Sequence, residues 1–410
     1  MPTTDRQADA VLAALDNFHI ELPSWGFAQT GTRFGKFAQD AAASTTEEKF
    51  HDAGLVHKLT GCCPSVAVHV LWDFDVNQPA EEAAKATVEI AKSNGVRVGS
   101  INPNIFQSQA YKLGSFCSPD ADARKMALDH SLYCVELMKH AGSKTISFWL
   151  ADGTNYPGQD NLRARKHRLQ DGLKEVHDTM PDGTTMLVEY KPFEPAFYHT
   201  DVADWGMAAT FAYAAGPKAR VLVDTGHHLP GANIEHIVAF LLDEHINGRP
   251  MLGGFHFNDR KYADDDLTLG SIDPYQVFRI FSEIAQYAHD TGGGGEHPAL
   301  EYMIDQSHNL KPKLEAMVQT ATEAQKLYAK AHCVDRAKLA DYQAKGDIVG
   351  AEGCLKAAFE TDVTPLLQAW RKSKNVPADP LGELRGSGAI DKLAKERRAL
   401  HGPVAEASYA

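Results

Sequence analysis

The sequence predicts an α/β fold, a (β/α)8 TIM barrel with a C-terminal helical extension. Three observations carry that expectation. Short apolar segments of strand length recur, and amphipathic segments of helix length separate them. In addition, no G-x-G-x-x-G turn follows any strand, as a doubly wound nucleotide-binding sheet would require, so the alternation closes most naturally into a barrel.

Residues 9–17 read as a short amphipathic helix leading into a first strand over 18–26, which Pro and Gly bring to an end. The polar stretch 27–46 comes next, and a connection that long inside a compact domain is usually functional or disordered. Strands are then expected over 65–71, 96–101, 144–149, 185–189, 219–223, 252–257 and 299–304, which makes eight with the first. Helical patterns over 80–94, 121–140, 163–179, 234–246 and 274–289 lie between them, and the glycine run 292–295 reads as a linker. Past residue 303 the pattern is helical, over 310–332, 336–342, 353–360, 363–372 and 390–400. Residues 1–330 are therefore expected to form the barrel domain, and 331–410 an extension without strands. Such an extension cannot add to the sheet, and it is expected to wrap the barrel or to make subunit contacts.

Composition excludes several classes. A chain of 410 residues with 43% hydrophobic content can bury a large core. Its formal net charge of -13 offers no basic field to a phosphate backbone or an anionic membrane, so neither nucleic acid nor membrane is an expected partner. Six cysteines form no CxxC pair and read as small buried thiols. The N-terminal residues lack a signal-peptide profile and no apolar run approaches a membrane span, so a reducing cytoplasm is the expected location.

The chemistry concentrates where strands end. An apolar run, 251–257, carries His256 near its end and leads into a loop with three consecutive carboxylates, Asp264, Asp265 and Asp266. Three acids in a row are commonly a solvated turn. Two carboxylates held near 4 Å repel by about 4 kcal/mol at an effective dielectric of 20, so the loop must face water or surround a cation. Other strand ends favour the cation. Glu189 ends the fifth strand, Asp224 follows the sixth, His256 lies in the seventh and Asp305 follows the eighth. In a parallel barrel these carboxyl ends meet at one rim. Singly each residue reads as a helix cap or a satisfied core polar group; four in consecutive strands read as a metal site. Glu189 could bridge to a second site made with one of His227 and His228 and with Asp264 and Asp266, while Asp265 would point away. Carboxylate oxygens with one imidazole per site suit Mg²⁺ or Mn²⁺ better than Zn²⁺, with Co²⁺ a further candidate.

Several long motifs carry a resemblance. Residues 23–26 (PSWG), 149–159 (WLADGTNYPGQ), 194–198 (EPAFY), 222–228 (LVDTGHH), 253–259 (GGFHFND) and 304–309 (IDQSHN) are similar to the L-rhamnose isomerase family of the broad-specificity Pseudomonas type, within the xylose isomerase superfamily. The likeness runs from about residue 20 to 375. It implies a (β/α)8 barrel, two divalent metal ions per subunit with Mn²⁺ foremost, a monosaccharide substrate and a homotetramer. It assigns Glu189, Asp224, His256 and Asp305 to a structural metal, and Glu189, His227, Asp264 and Asp266 to a catalytic one. Lys191 corresponds to a substrate-contacting lysine, His69 to a pocket histidine and Trp149 to a pocket wall.

Elementary chemistry agrees with that assignment. Moving hydrogen between C1 and C2 of a sugar by the hydride route requires both oxygens to be polarised together, which two Lewis acids do. Lys191 would stabilise charge at O1, and its plain alternative is a surface lysine. His69 would assist ring opening, its alternative being core packing. Asp305 joins them as a catalytic-side ligand. Trp25 and Trp149 offer apolar faces to sugar carbons, and Phe34 is expected to reach a neighbouring subunit's pocket. Three rival functions compete with the isomerase. A ketose 3-epimerase would use one metal and two glutamates; a phosphoesterase of the endonuclease IV type would want basic residues and more histidines; a sugar-binding protein would not need paired cations.

Overall fold

The computed structural model describes residues 5–32, 35–194, 198–262, 264–292, 299–307 and 310–403. Phe34 lies outside them. Eight parallel strands form one sheet: β1 Leu22–Pro23, β2 Ser65–His69, β3 Arg97–Asn102, β4 Thr145–Phe148, β5 Thr185–Glu189, β6 Ala219–Asp224, β7 Leu252–Phe257 and β8 Glu301–Ile304, neighbours in sequence order. Glu21 closes the barrel, donating its N–H to Tyr302 O at 2.7 Å and accepting from Ile304 N at 3.0 Å. The fold is therefore the expected barrel with C-terminal helices. The first strand is shorter than expected. Pro23 has no N–H to continue a ladder, and Ser24–Phe27 turns into a 3-10 helix instead.

Helices follow the strands and start on side-chain caps. Asp120, Asn161, Asp204, Asn233 and Asp273 each accept a backbone N–H of the first turn, and Pro274 sits where its missing donor costs nothing. Two barrel helices escape the sequence reading. Thr46–Thr60 turns charged Lys49 and Asp52 inward, where Asp73 and Arg397 neutralise them, so its apolar stripe is broken on paper. Trp205–Ala215 is nearly apolar throughout and shows no period to detect. One expected helix is too long. It covers Ile234–Asp243, after which a hairpin pairs His245–Ile246 with Arg249–Pro250. Asn247 and Gly248 turn that hairpin with φ of 52° and 72°, left-handed values that an Asn-Gly pair adopts cheaply.

The extension is not a loose appendage. Buried Val363, Leu367, Trp370, Leu384 and Leu393 belong to the same core cluster as the barrel. Trp370 Nε1 donates to Asp16 at 2.7 Å. Arg397 grips both oxygens of fully buried Asp52, at 2.9 and 2.7 Å. All six cysteines are free. Among the described residues no helix is long and apolar enough to cross a membrane.

Polar groups also cross the barrel interior. Glu21 on the first strand reaches β3, where it accepts from Ser100 N at 3.1 Å and Ser100 Oγ at 2.7 Å. A Cβ at Gly99 would stand 1.9 Å from Glu21 Oε1, so a side chain there would push the carboxylate off Ser100. Glu301 on β8 accepts from Thr145 Oγ1 on β4 at 3.3 Å. Burial and then the nearby Glu21 charge push the Glu301 carboxyl up from 4.5 to about 6. A raised carboxyl holds its proton longer in the folded state. Its contribution is thus complete below about 4.5 and is lost as pH rises through about 6, an effect of about 2 kcal/mol. Glu301→Gln is expected to melt higher than the parent at pH 7 and to match it at pH 4.5. Equal differences at both pH values would remove Glu301 from the account.

Candidate metal centre and pocket

The carboxyl ends of β5 to β8 deliver Glu189, Asp224, His256 and Asp305 to one place, with donor atoms of all four within 4.8 Å of one another. Donors about 2.1 Å from a common ion stand up to about 4.2 Å apart, so the set needs only slight tightening to ligate one. His256 Nδ1 lies 3.1 Å from Glu189 Oε1 and 3.5 Å from Asp305 Oδ2. The same Glu189 oxygen lies 3.3 Å from His227 Nδ1. One Glu189 oxygen therefore stands between two groups of side chains.

The second group gathers around His227, whose Nε2 is 3.0 Å from Asp264 Oδ1. His228 turns away and pairs its Nε2 with Tyr190 Oη at 2.7 Å, so the geometry separates two histidines that sequence left equivalent. Asp264 and Asp266 adopt left-handed φ of 50° and 48°. Asp264 N donates to Gly226 O at 3.1 Å, tying this loop to the one after β6. Asp265 faces its own loop, where its Oδ2 accepts from Tyr262 N at 2.7 Å. Lys191 Nζ bonds Asp264, and also Glu194 at 2.7 Å.

Charge balance argues for a cation. Burial pushes Asp224 up to about 7 despite the pull of His227, and it also raises Asp266 and Asp305. Burial alone would raise Glu189 and Asp264, but His256 outweighs it for the first and His227 with Lys191 for the second, leaving both below the usual carboxylate range. Burial would lower the two histidines. Facing carboxylates reverse this, lifting His227 to about 10 and His256 to about 9. Carboxylates raised by burial beside histidines raised by those carboxylates mark a cluster short of positive charge. A divalent ion would satisfy the same carboxylates and free both imidazoles to ligate. The donor set fits one.

Supporting contacts were not legible in advance. Asn258 Nδ2 donates to both Asp224 oxygens, at 3.0 and 3.2 Å, and Gly226 N donates to Oδ1 at 2.6 Å. A Cβ on Gly226 would meet Asn258 Oδ1 at 2.3 Å, which explains the glycine of the 222–228 motif. Such outer contacts fix the angle at which a ligand presents its oxygens.

Above the cluster opens a pocket of about 290 Å³. Its walls include His69, Lys191, Trp25 and Trp149, as well as Trp72, Phe106, Asn102, Ser147 and Glu194, which the sequence reading missed. Trp25 Nε1 donates to Asp305 Oδ1 at 3.0 Å. The His69 ring lies 4.7 Å from Trp25 and 4.2 Å from Trp72, and burial lowers it to about 3. Phe106 packs edge-on against Trp149 at 4.9 Å, and Lys191 Nζ stands 5.4 Å from the Trp149 ring centre. Trp72 carried a signal, since it lies three residues past His69 on the same strand-end turn. Ser147 carried another, two residues before Trp149 and hence on the same face.

A parallel barrel whose strand ends bring three carboxylates and a histidine together defines a TIM barrel with a candidate metal site. The chain belongs to the xylose isomerase-like TIM barrel family, whose model matches residues 65–288. It is 40% identical over 399 residues to a probable sugar isomerase of Rhizobium meliloti (strain 1021), covering 96% of this chain and 90% of that relative. A probable sugar isomerase of Mesorhizobium japonicum is 39% identical over 400 residues, covering 96% and 89%. Among solved structures, the D-allulose 3-epimerase of a Methylomonas species superposes with a TM-score of 0.52 at 14% identity, covering 75% of this chain and 95% of the other, which is a likeness of fold.

Proposed function

We propose that the protein is an aldose-ketose isomerase that interconverts L-rhamnose and L-rhamnulose and accepts related sugars. One observation carries the proposal. One Glu189 oxygen stands between His256 and His227 in the lining of a pocket of about 290 Å³, where it would serve two cations. The two probable sugar isomerases that match nearly the whole chain support it.

Two divalent ions, Mn²⁺ by preference with Mg²⁺ or Co²⁺ as substitutes, would polarise adjacent sugar oxygens. Glu189, Asp224, His256 and Asp305 would hold one, and Glu189, His227, Asp264 and Asp266 the other. Lys191 remains charged because Asp264 and Glu194 outweigh its burial, and that charge steadies O1 as it becomes anionic. His69 offers Nδ1, which has no partner among the described residues, to the hydroxyl that opens the sugar ring. Trp25 and Trp149 keep water from the reacting carbons, and Trp25 also steers Asp305. The reading extends to a homotetramer in a reducing cytoplasm. Its assembly is supported by Ile348 and Val349, 70% and 82% exposed on the extension.

The test is direct. Mn²⁺-loaded protein incubated with L-rhamnose should accumulate ketose. Absence of turnover across a panel of hexoses and deoxyhexoses would defeat the isomerase reading. Conversion of a ketose to its C3 epimer without any aldose would replace it with epimerisation.

A further inference from the structure

Opposite the metal ligands, three neighbouring strands end in a polar row. His69 of β2 pairs in register with Asn102 of β3, and the Ile101 to Ile146 pairing sets Asn102 beside Ser147 of β4. All three line the pocket. Asn102 spends its amide hydrogens on Val68 O at 3.1 Å and Ser100 O at 3.4 Å. Ser147 is different. Its residue is only 1% exposed, and its hydroxyl has no hydrogen-bond partner among the described residues.

A buried hydroxyl without a partner is costly, and strand positions of the barrel interior are ordinarily filled by Val, Ile or Leu. Here a serine stands between Thr145 and Trp149 on the inward face, in the wall of the cavity that Glu189, Lys191 and His256 also line. A hydroxyl both donates and accepts, which is the complement of a sugar hydroxyl. Sites built around one buried polar group discriminate strongly against ligands that leave it unpaired.

We propose that Ser147 Oγ receives the sugar hydroxyl at C3 or C4 and thereby ranks substrates by the presence of that hydroxyl. This rests on the isomerase reading, because it places C1 and C2 at the metal ligands and Lys191 and leaves the remaining carbons to the β2–β4 side. Ser147 is a specificity contact. It takes no part in moving the hydrogen.

The experiment compares Ser147→Ala with the unaltered protein, both loaded with Mn²⁺, on L-rhamnose and on its 3-deoxy and 4-deoxy forms. The variant should lose about 10-fold to 100-fold in kcat/KM on L-rhamnose, mostly through KM. It should match the unaltered protein on whichever deoxy sugar lacks the contacted hydroxyl. Metal content should be unchanged and the melting temperature equal or higher, because removing an unpaired buried hydroxyl relieves the fold. Equal kcat/KM for variant and parent on every sugar, or an equal loss on the parent sugar and both deoxy forms, would overturn the serine assignment alone. If the unaltered protein turns over none of these sugars, the isomerase reading falls and the serine contact with it.

Discussion

Glu189→Gln should be inactive, with turnover reduced at least about 1,000-fold. One oxygen of Glu189 stands 3.1 Å from His256 and 3.3 Å from His227, so a single substitution withdraws an anionic donor from both proposed metal positions. The amide keeps the size of the side chain and removes the charge that draws cations to the floor of the pocket. Metal analysis of the purified variant should show loss of both ions. Asp264→Asn provides the contrast. It leaves Glu189, Asp224, His256 and Asp305 in place, so the protein should retain one ion, stay folded and lose turnover. Full activity in Asp264→Asn would take the second metal out of the mechanism, and an unchanged metal content in Glu189→Gln would refute the shared-carboxylate geometry.

The second large effect concerns stability. Arg397→Ala is expected to destabilise the protein by about 3 to 5 kcal/mol, because it strands a buried carboxylate. Asp52 is 0% exposed and takes two hydrogen bonds from Arg397, while Ala41 O and Glu48 O lose their donor as well. Both the helix Thr46–Thr60 and the helix Ala389–His401 depend on that pair. Asp52→Leu combined with Arg397→Met should recover most of the loss, since an apolar pair of similar volume carries no desolvation cost. Thermal melts of the two variants decide the matter. A single variant that melts with the parent, or a double variant that melts below the single one, would show that the buried pair is not what joins these helices.

Much of the fold was legible because barrel strands and helices leave different periods. The candidate metal cluster was legible for the same reason. Once strand ends are located, Glu189, Asp224, His256 and Asp305 fall at one rim without further information. What stayed hidden had physical causes. Thr46–Thr60 conceals its inward face behind ion pairs, and Trp205–Ala215 has no polar side to contrast with its apolar one. His227 and His228 are consecutive, and it takes the Tyr190 hydroxyl on one side and Asp264 on the other to decide which ring turns inward. Phe106 sits on a turn whose direction no period encodes, so its meeting with Trp72 over His69 emerges only in three dimensions.

The Glu21 carboxylate that spans the first and third strands, tight against Gly99, also sets a limit on substitution. Position 99 cannot gain a side chain while the carboxylate keeps its place on Ser100, so the two strands constrain each other's sequence and any change at one must be answered by a shorter residue at the other.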